Sequence, residues 1–287
     1  MRSNRTLWIV LLLVVLAVCC FVASIGGLLL ARNLQRGANW VWSANNEITA
    51  TIGRTLEVAD PAALAVDLPV GSLTVRTGEP GQIAVEATKR AWGRSTAEAQ
   101  RTLDRIEVAI EPTAAGVRVA VTGPDWQAGA STTPRTPQVD LVVTVPEETQ
   151  LDLKVGVGRL AVNGVRGDVR ITADVGEVEL TDVQPVTTLE VESRVASIRF
   201  EGALTTGATY RMTSDVGRIL LQLPPESAFQ IEARSDIGDA TVDFDVIGQQ
   251  ERPGFTGKEI TGQVGEPGGT ELVLRSRVGD IQVEQAP

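Results

Sequence analysis

From Leu151 to Phe244 apolar residues recur in one short frame, best seen in Val169-Arg-Ile171-Thr-Ala173-Asp-Val175-Gly176-Glu-Val178-Glu-Leu180. With the Gly numbered zero, apolar residues fall at −7, −5, −1, +2 and +4, and a small residue falls at −3. The same frame fits around Gly158, Ala196, Gly217 and Gly238, with outlying copies around Gly71 and Gly279. Consecutive anchors from Gly158 to Gly238 are 18 to 21 residues apart. Apolar residues two apart share one face of a strand, so the −7/−5 and +2/+4 pairs predict two short strands facing a common interior. Glycine at zero permits a corner that a Cβ would penalise. The small −3 residues (Ala173, Ser193, Ser214, Ser235, Ser276) are expected to stack inside that corner, with the −1 valines as an apolar ladder beside them. A period near twenty is the mark of stacked repeats. The expected fold is therefore all-β, a parallel β-solenoid (β-helix-like) with rungs of about 20 residues.

The flanking segments read differently. Gln82-Ile-Ala-Val-Glu86 is an alternating strand reached through Thr77-Gly-Glu-Pro-Gly81. Ser95-Thr-Ala-Glu98 is a capping box, predicting a short helix over 95–104 with Ala97, Ala99, Leu103 and Ile106 on its inner face. Ile106–Ile110 and Val117–Val121 alternate about a turn and predict a hairpin. Gly123 to Gln138, with Trp126, is expected as a loop, and Val139–Val145 as a strand. Residues 248–270 hold seven Gly and two Pro and are expected to form a loosened rung.

Charges at outward positions add detail. At −6 the copies read Asp152, Arg170, Glu190, Arg211, Glu232, alternating in sign as in-register parallel stacking would favour. At −2 they read Asp174, Arg194, Asp215, Asp236, Arg277. Stacked carboxylates could hold Ca²⁺, which takes six to eight oxygens, but the intervening arginines neutralise them, and the row is read as charge-compensated surface.

Ahead of the repeats, Leu7 to Leu30 is an uncharged, almost wholly apolar run of 24 residues, long enough to span a bilayer as a helix. The expected organisation is a tail (1–6), a transmembrane helix (7–31), a juxtamembrane linker (32–55) and one β domain (56–287). Trp40 and Trp42 are placed to sit at headgroup depth. Cys19 and Cys20 both fall in the span, leaving the domain without a disulfide or a thiol. Beyond residue 38 the 36 acidic residues outnumber the 22 basic ones by 14. That surface repels phosphate backbones, so nucleic acid is not an expected partner, and it suits a dispersed ectodomain of a single-pass membrane protein.

Catalytic chemistry is sparse. The chain has no histidine, which removes Ser-His-Asp triads and His-ligated zinc. It has no phosphate loop and no dinucleotide fingerprint. Arg166-Gly-Asp168 matches a tripeptide of cell-adhesion ligands but falls at a turn between copies. No catalytic, cofactor-binding or metal-ligating residues are assigned, and no cofactor is expected.

The order of parts, with the frame around Gly71, the helix after Ser95, the strand Asp140-Leu-Val-Val-Thr-Val-Pro146, Leu151-Asp-Leu-Lys-Val-Gly-Val-Gly158 and the closing copy Leu272–Val283, resembles the bacterial putative-adhesin domain family. The resemblance covers about Leu56 to Glu284. It implies a β-solenoid in the cell envelope and brings no catalytic residues or ligand. The expected function is a membrane-anchored, non-enzymatic surface scaffold with an envelope protein or glycan as partner. Two alternatives are an envelope-stress regulatory scaffold acting through the membrane segment and a carbohydrate-active β-helix enzyme. Unpaired solenoid edges would also invite self-association.

Overall fold

The computed structural model describes residues 46–123, 136–254, 256–266 and 268–286. The expected span 7–31, Trp40, Trp42 and Trp126 lie outside the described residues. Among those described, no helix is long and apolar enough to cross a membrane.

The chain opens with β1 (Asn46–Glu57), β2 (Ala62–Thr77) and β3 (Gln82–Gly93), so β1 begins inside the stretch expected as linker. Helix α1 (Thr96–Asp104) follows. The N-cap half of its capping box forms as expected, with Ser95 Oγ accepting from Glu98 N at 3.2 Å, whereas the Glu98 carboxylate reaches one residue further back and accepts from Arg94 N at 2.9 Å. The helix buries Ala99, Thr102 and Leu103, whereas Ala97 faces solvent. Next come the antiparallel hairpin β4 (Glu107–Pro112) and β5 (Gly116–Thr122), and β6 (Gln138–Val145).

The repeat frame forms β7 (Thr149–Asn163), β8 (Val169–Thr181) and β9 (Thr188–Glu201). The next two copies are each split at the corner, into β10 (Thr209–Val216) with β11 (Ile219–Leu223), and β12 (Phe229–Ile237) with β13 (Ala240–Val242). Then follow β14 (Val246–Pro253), β15 (Lys258–Val264), β16 (Glu271–Val278) and β17 (Ile281–Gln285). Each copy has two limbs, one before and one after its corner. Residues at −7, −5, +2 and +4 are buried in every complete copy except Val242 and join one core. Full burial of such side chains contributes about 1.5–3 kcal/mol apiece, which is why the alternation is so strict there. Phe200 and Tyr210 pack edge to face inside it, their centroids 5.5 Å apart.

The expected parallel β-solenoid is overturned. The sheet is mixed, with 17 strands. Its repeat copies pair in parallel and in register, but β1–β3, β3–β6, β4–β5, β12–β15 and β14–β15 are antiparallel. Nor do the copies stack in chain order. The last one, β16–β17, lies between β10–β11 and β12–β13.

Two physical causes account for this. The Gly/Pro-rich stretch 248–270 is not a loosened rung: it supplies the β14–β15 hairpin, whose short connection favours antiparallel pairing and which lies along β12. Charge then favours the inserted position of the last copy. There Arg277 reaches Asp215 at 2.9 Å and Arg275 reaches Glu232 at 2.8 Å. Stacking in chain order would have set Asp215 beside Asp236. The −6 alternation is likewise only partly used: Arg170 pairs with Glu190 at 3.1 Å, while Val273 separates Arg211 from Glu232.

The small residues at −3 do more than leave space. Ser193 Oγ donates to Ser214 Oγ at 3.0 Å, and Ser214 Oγ donates to the Ala196 carbonyl at 3.2 Å. Ser276 and Ser235 donate to the carbonyls of Gly217 and Gly279. The hydroxyls of Ser214, Ser235 and Ser276 thus each satisfy a corner carbonyl of a neighbouring copy, and Ser193 reaches one through Ser214. Ser214→Ala is expected to lower unfolding free energy by about 1–3 kcal/mol, because a buried partner is left unmatched. Urea denaturation checks it, and Ala173 shows that the corner accepts alanine sterically.

Candidate functional site: an exposed ladder of valines

Position −1 is the largest departure from the sequence expectation. Val157, Val175, Val195, Val216, Val278 and Ile237 are between 37% and 52% exposed rather than buried. They align across the strands, Val70 to Val157, Val175, Val195, Val216, Val278 and then Ile237. Six exposed β-branched side chains therefore form one outward ridge, with half-buried Val70 at its end and a repeat of about 4.8 Å between strands. A long, contiguous exposed apolar feature marks an interaction surface more often than a scattered apolar residue does.

The corner explains the exposure. Position −3 is buried and +2 is buried, and the interval between them is odd. Alternation must therefore break, and it does so by turning −2 and −1 both outward. The glycine at zero makes the break. Gly176 has φ 148°, and a Cβ there would run into the carbonyl oxygen of Gly158. The parity mismatch is visible in the sequence and is the signal that would have placed the valines outside.

Beside the ladder runs the −2 row. In spatial order it reads Asp174, Arg194, Asp215, Arg277, Asp236, a strict alternation that chain order conceals. Arg194 holds Asp174 at 2.8 Å, Arg277 holds Asp215 at 2.9 Å, and Arg234 holds Asp236 at 2.9 Å. Each Asp in the row thus has an arginine in contact, which accounts for the row without a cation. Among the described residues no group of three or more His, Cys, Asp or Glu side chains is placed to hold a metal ion.

Other sequence features resolve as structure. Asp168 of the Arg-Gly-Asp turn accepts from Thr187 N at 2.6 Å and Thr188 N at 3.0 Å, stitching one copy to the next. Arg166 pairs with Glu147 at 3.2 Å. A groove of about 540 Å³ lies beside the β4–β5 hairpin and is lined by Arg118, Asp152, Asp168, Arg170 and Glu190 among others. Its Arg170 and Glu190 are paired to each other and its Asp168 caps backbone, which leaves Asp152 as the groove carboxylate outside those contacts. Tyr210 is the one buried phenol in the core. Burial raises its pKa, offset in part by the hydrogen bond that its hydroxyl accepts from Thr205 N at 2.8 Å.

No protein-family model and no curated protein matches the chain. Its fold is that of a solved protein described as a putative cell adhesion protein from Clostridium sporogenes, at a TM-score of 0.50 and 13% identity, covering 83% of this chain and all of that one. A putative adhesin from Bacteroides fragilis is also similar, at a TM-score of 0.36 and 15% identity over 82% of this chain and 97% of that one. The resemblance to the putative-adhesin domains is thus met in the fold, with solved adhesin-like proteins as its structural neighbours.

Proposed function

We propose that this chain is a non-enzymatic binding scaffold of the cell surface, tethered by the apolar segment 7–31 and presenting the valine ladder to its partner. The carrying observation is the in-register exposure of Val157, Val175, Val195, Val216, Val278 and Ile237. The corner turns position −1 outward but does not require an aliphatic side chain there, and the surface these residues leave in water is costly to hydrate. The description of the Clostridium sporogenes protein as a cell adhesion protein suits this reading, as does a domain whose net negative charge keeps it dispersed.

The test uses the full chain and the double substitution Val195→Asp with Val216→Asp, two exposed positions whose replacement leaves the core untouched. Binding of labelled protein to intact cells is expected to fall by about tenfold or more, since each apolar contact of this size contributes on the order of 1 kcal/mol. Circular dichroism should be unchanged. Unaltered cell binding would remove the ladder from the function. Turnover of a cell-wall or capsular polysaccharide by the chain would overturn the scaffold reading itself.

A further inference from the structure

The ladder has a property that selects among partners: its repeat is the inter-strand spacing. A ridge with a period of about 4.8 Å stays in step along its whole length only with a surface of the same period, as paired sheets do in dry zipper contacts. A second copy of the chain carries such a surface. The flanking charges make the contact self-complementary. When two ladders meet about a two-fold axis that crosses them at right angles in the contact plane, they run antiparallel, and the −2 rows of both copies fall on the same side. An alternating row reversed on itself meets opposite signs at every odd offset and like signs at every even one.

With the axis passing between Arg194 and Asp215, Arg194 faces the second copy's Asp215 and Asp174 faces its Arg277. The symmetry repeats both pairs, giving four opposite-sign encounters, and the ladders overlap from the level of Val157 to that of Ile237. The row on the other flank is less selective, since Glu177 would there meet Asp280.

Three strand edges offer the chain a poorer route, while β1, twelve residues long and paired with β3 alone among the described strands, is left as an open edge. β14 carries a bulge between Ile247 and Gln250 and ends in Pro253; β13 is only three residues long; and β4 ends in Pro112, with its Ile110 carbonyl taken by Arg54 at 2.7 Å. Such devices blunt edge pairing.

We infer that the valine ladder is a homotypic contact, through which this chain binds a second copy of itself in antiparallel register with the Arg194 and Asp215 rows apposed. The inference rests on the scaffold reading above and names its partner. A ridge one residue wide buries well under the roughly 1,200 Å² of a stable interface. One contact is therefore weak, and arrays of tethered chains hold by multivalency.

The experiment couples full-length chain to beads through its N-terminus and reads bead clustering by light scattering. Wild-type beads should cluster at high coating density. Arg194→Asp and Asp215→Arg, each alone, set like charges against like. Each is expected to lower clustering by about tenfold, because two of the four contacts, each worth a few tenths of a kcal/mol, turn from attraction to repulsion. Mixing Arg194→Asp beads with Asp215→Arg beads restores opposite signs at every one of those contacts, and mixed clusters should return towards the wild-type level. Restoration supports the homotypic contact, because a foreign partner gives no reason for it.

Wild-type beads that stay dispersed, single variants that cluster like wild type, or a mixture that is not rescued would each overturn it. The scaffold reading fails separately. If Val195→Asp with Val216→Asp abolishes binding to cells while wild-type beads do not cluster, the ladder binds a foreign surface, and only the homotypic inference falls.

Discussion

Replacing Gly176 by valine is expected to leave little folded protein at 37 °C. The position has φ 148°, and any Cβ on it meets the Gly158 carbonyl oxygen, part of the backbone of the neighbouring copy. The backbone strain alone costs about 1–3 kcal/mol for a non-Gly residue, and a β-branched side chain adds the displacement of a paired strand. Gly158 and Gly71 stand in the same relation one copy further along, so the shift cannot be absorbed by moving the neighbour. The sum is a large fraction of the roughly 5–15 kcal/mol that holds an ordinary domain together. Ala196 is the internal control. It occupies the zero position of β9 without a positive φ. Ala196→Gly should therefore be mild, and the contrast between the two variants in thermal unfolding checks that the corner conformation, rather than the residue count, sets the requirement. Equal melting temperatures for Gly176→Val and wild type would refute it.

The second large effect concerns the end of the chain. A chain ending at Gly269 lacks β16 and β17, and with them Leu272, Leu274, Ile281 and Val283, all fully buried. At about 1.5–3 kcal/mol each, these four remove roughly 6–12 kcal/mol, comparable to the whole stability of a domain. Position matters more than the sum. Were the copies stacked in chain order, the loss would peel away only the outermost layer. Here it opens a slot between β10–β11 and β12–β13, leaving β12 with β15 as its strand partner. Hydrogen exchange should accordingly show lost protection from about Thr209 to Val264, not only at the new terminus, while β2, β7 and β8 retain theirs. Retention of protection in β12 by the shortened chain would mean that the insertion is not what holds it.

How far the sequence carried depends on which property each residue reports. Burial on the two limbs, the helix cap at Ser95, the β4–β5 hairpin and the small −3 positions were all legible, because each is a local matter of alternation or hydrogen bonding. The order of the copies was not. All share one frame, so apolar pattern cannot rank neighbours, and chain order is then the natural but mistaken default. Charge breaks that degeneracy: only with Arg277 set between Asp215 and Asp236 does the −2 row alternate throughout. The antiparallel hairpin at 246–264 was concealed by its glycines, which read equally well as a broken strand. The exposed ladder was missed because period-two reasoning was carried through the corner, where the odd interval between Ser214 and Ile219 forbids it. The serine-to-carbonyl bonds were hidden for another reason: their acceptors belong to other copies, whose identity depends on the stacking order.

The inserted last copy also bears on how the domain comes into being. Arg277 and Asp215 touch although they are 62 residues apart along the chain, and contacts of such separation form late because loop closure must precede them. A ribosome delivers the chain from its N-terminus. The first four copies can assemble on one another as they emerge. From β10 onward the growing chain must wait, since the surface β10 offers is completed by residues made after β12 through β15. Until residues 271–285 have been synthesised, two strand edges stand open, the kind of surface that draws aggregation or a chaperone. Closure of this domain is thereby made conditional on translation having passed its final strand, and a prematurely terminated product carries its own mark of incompleteness.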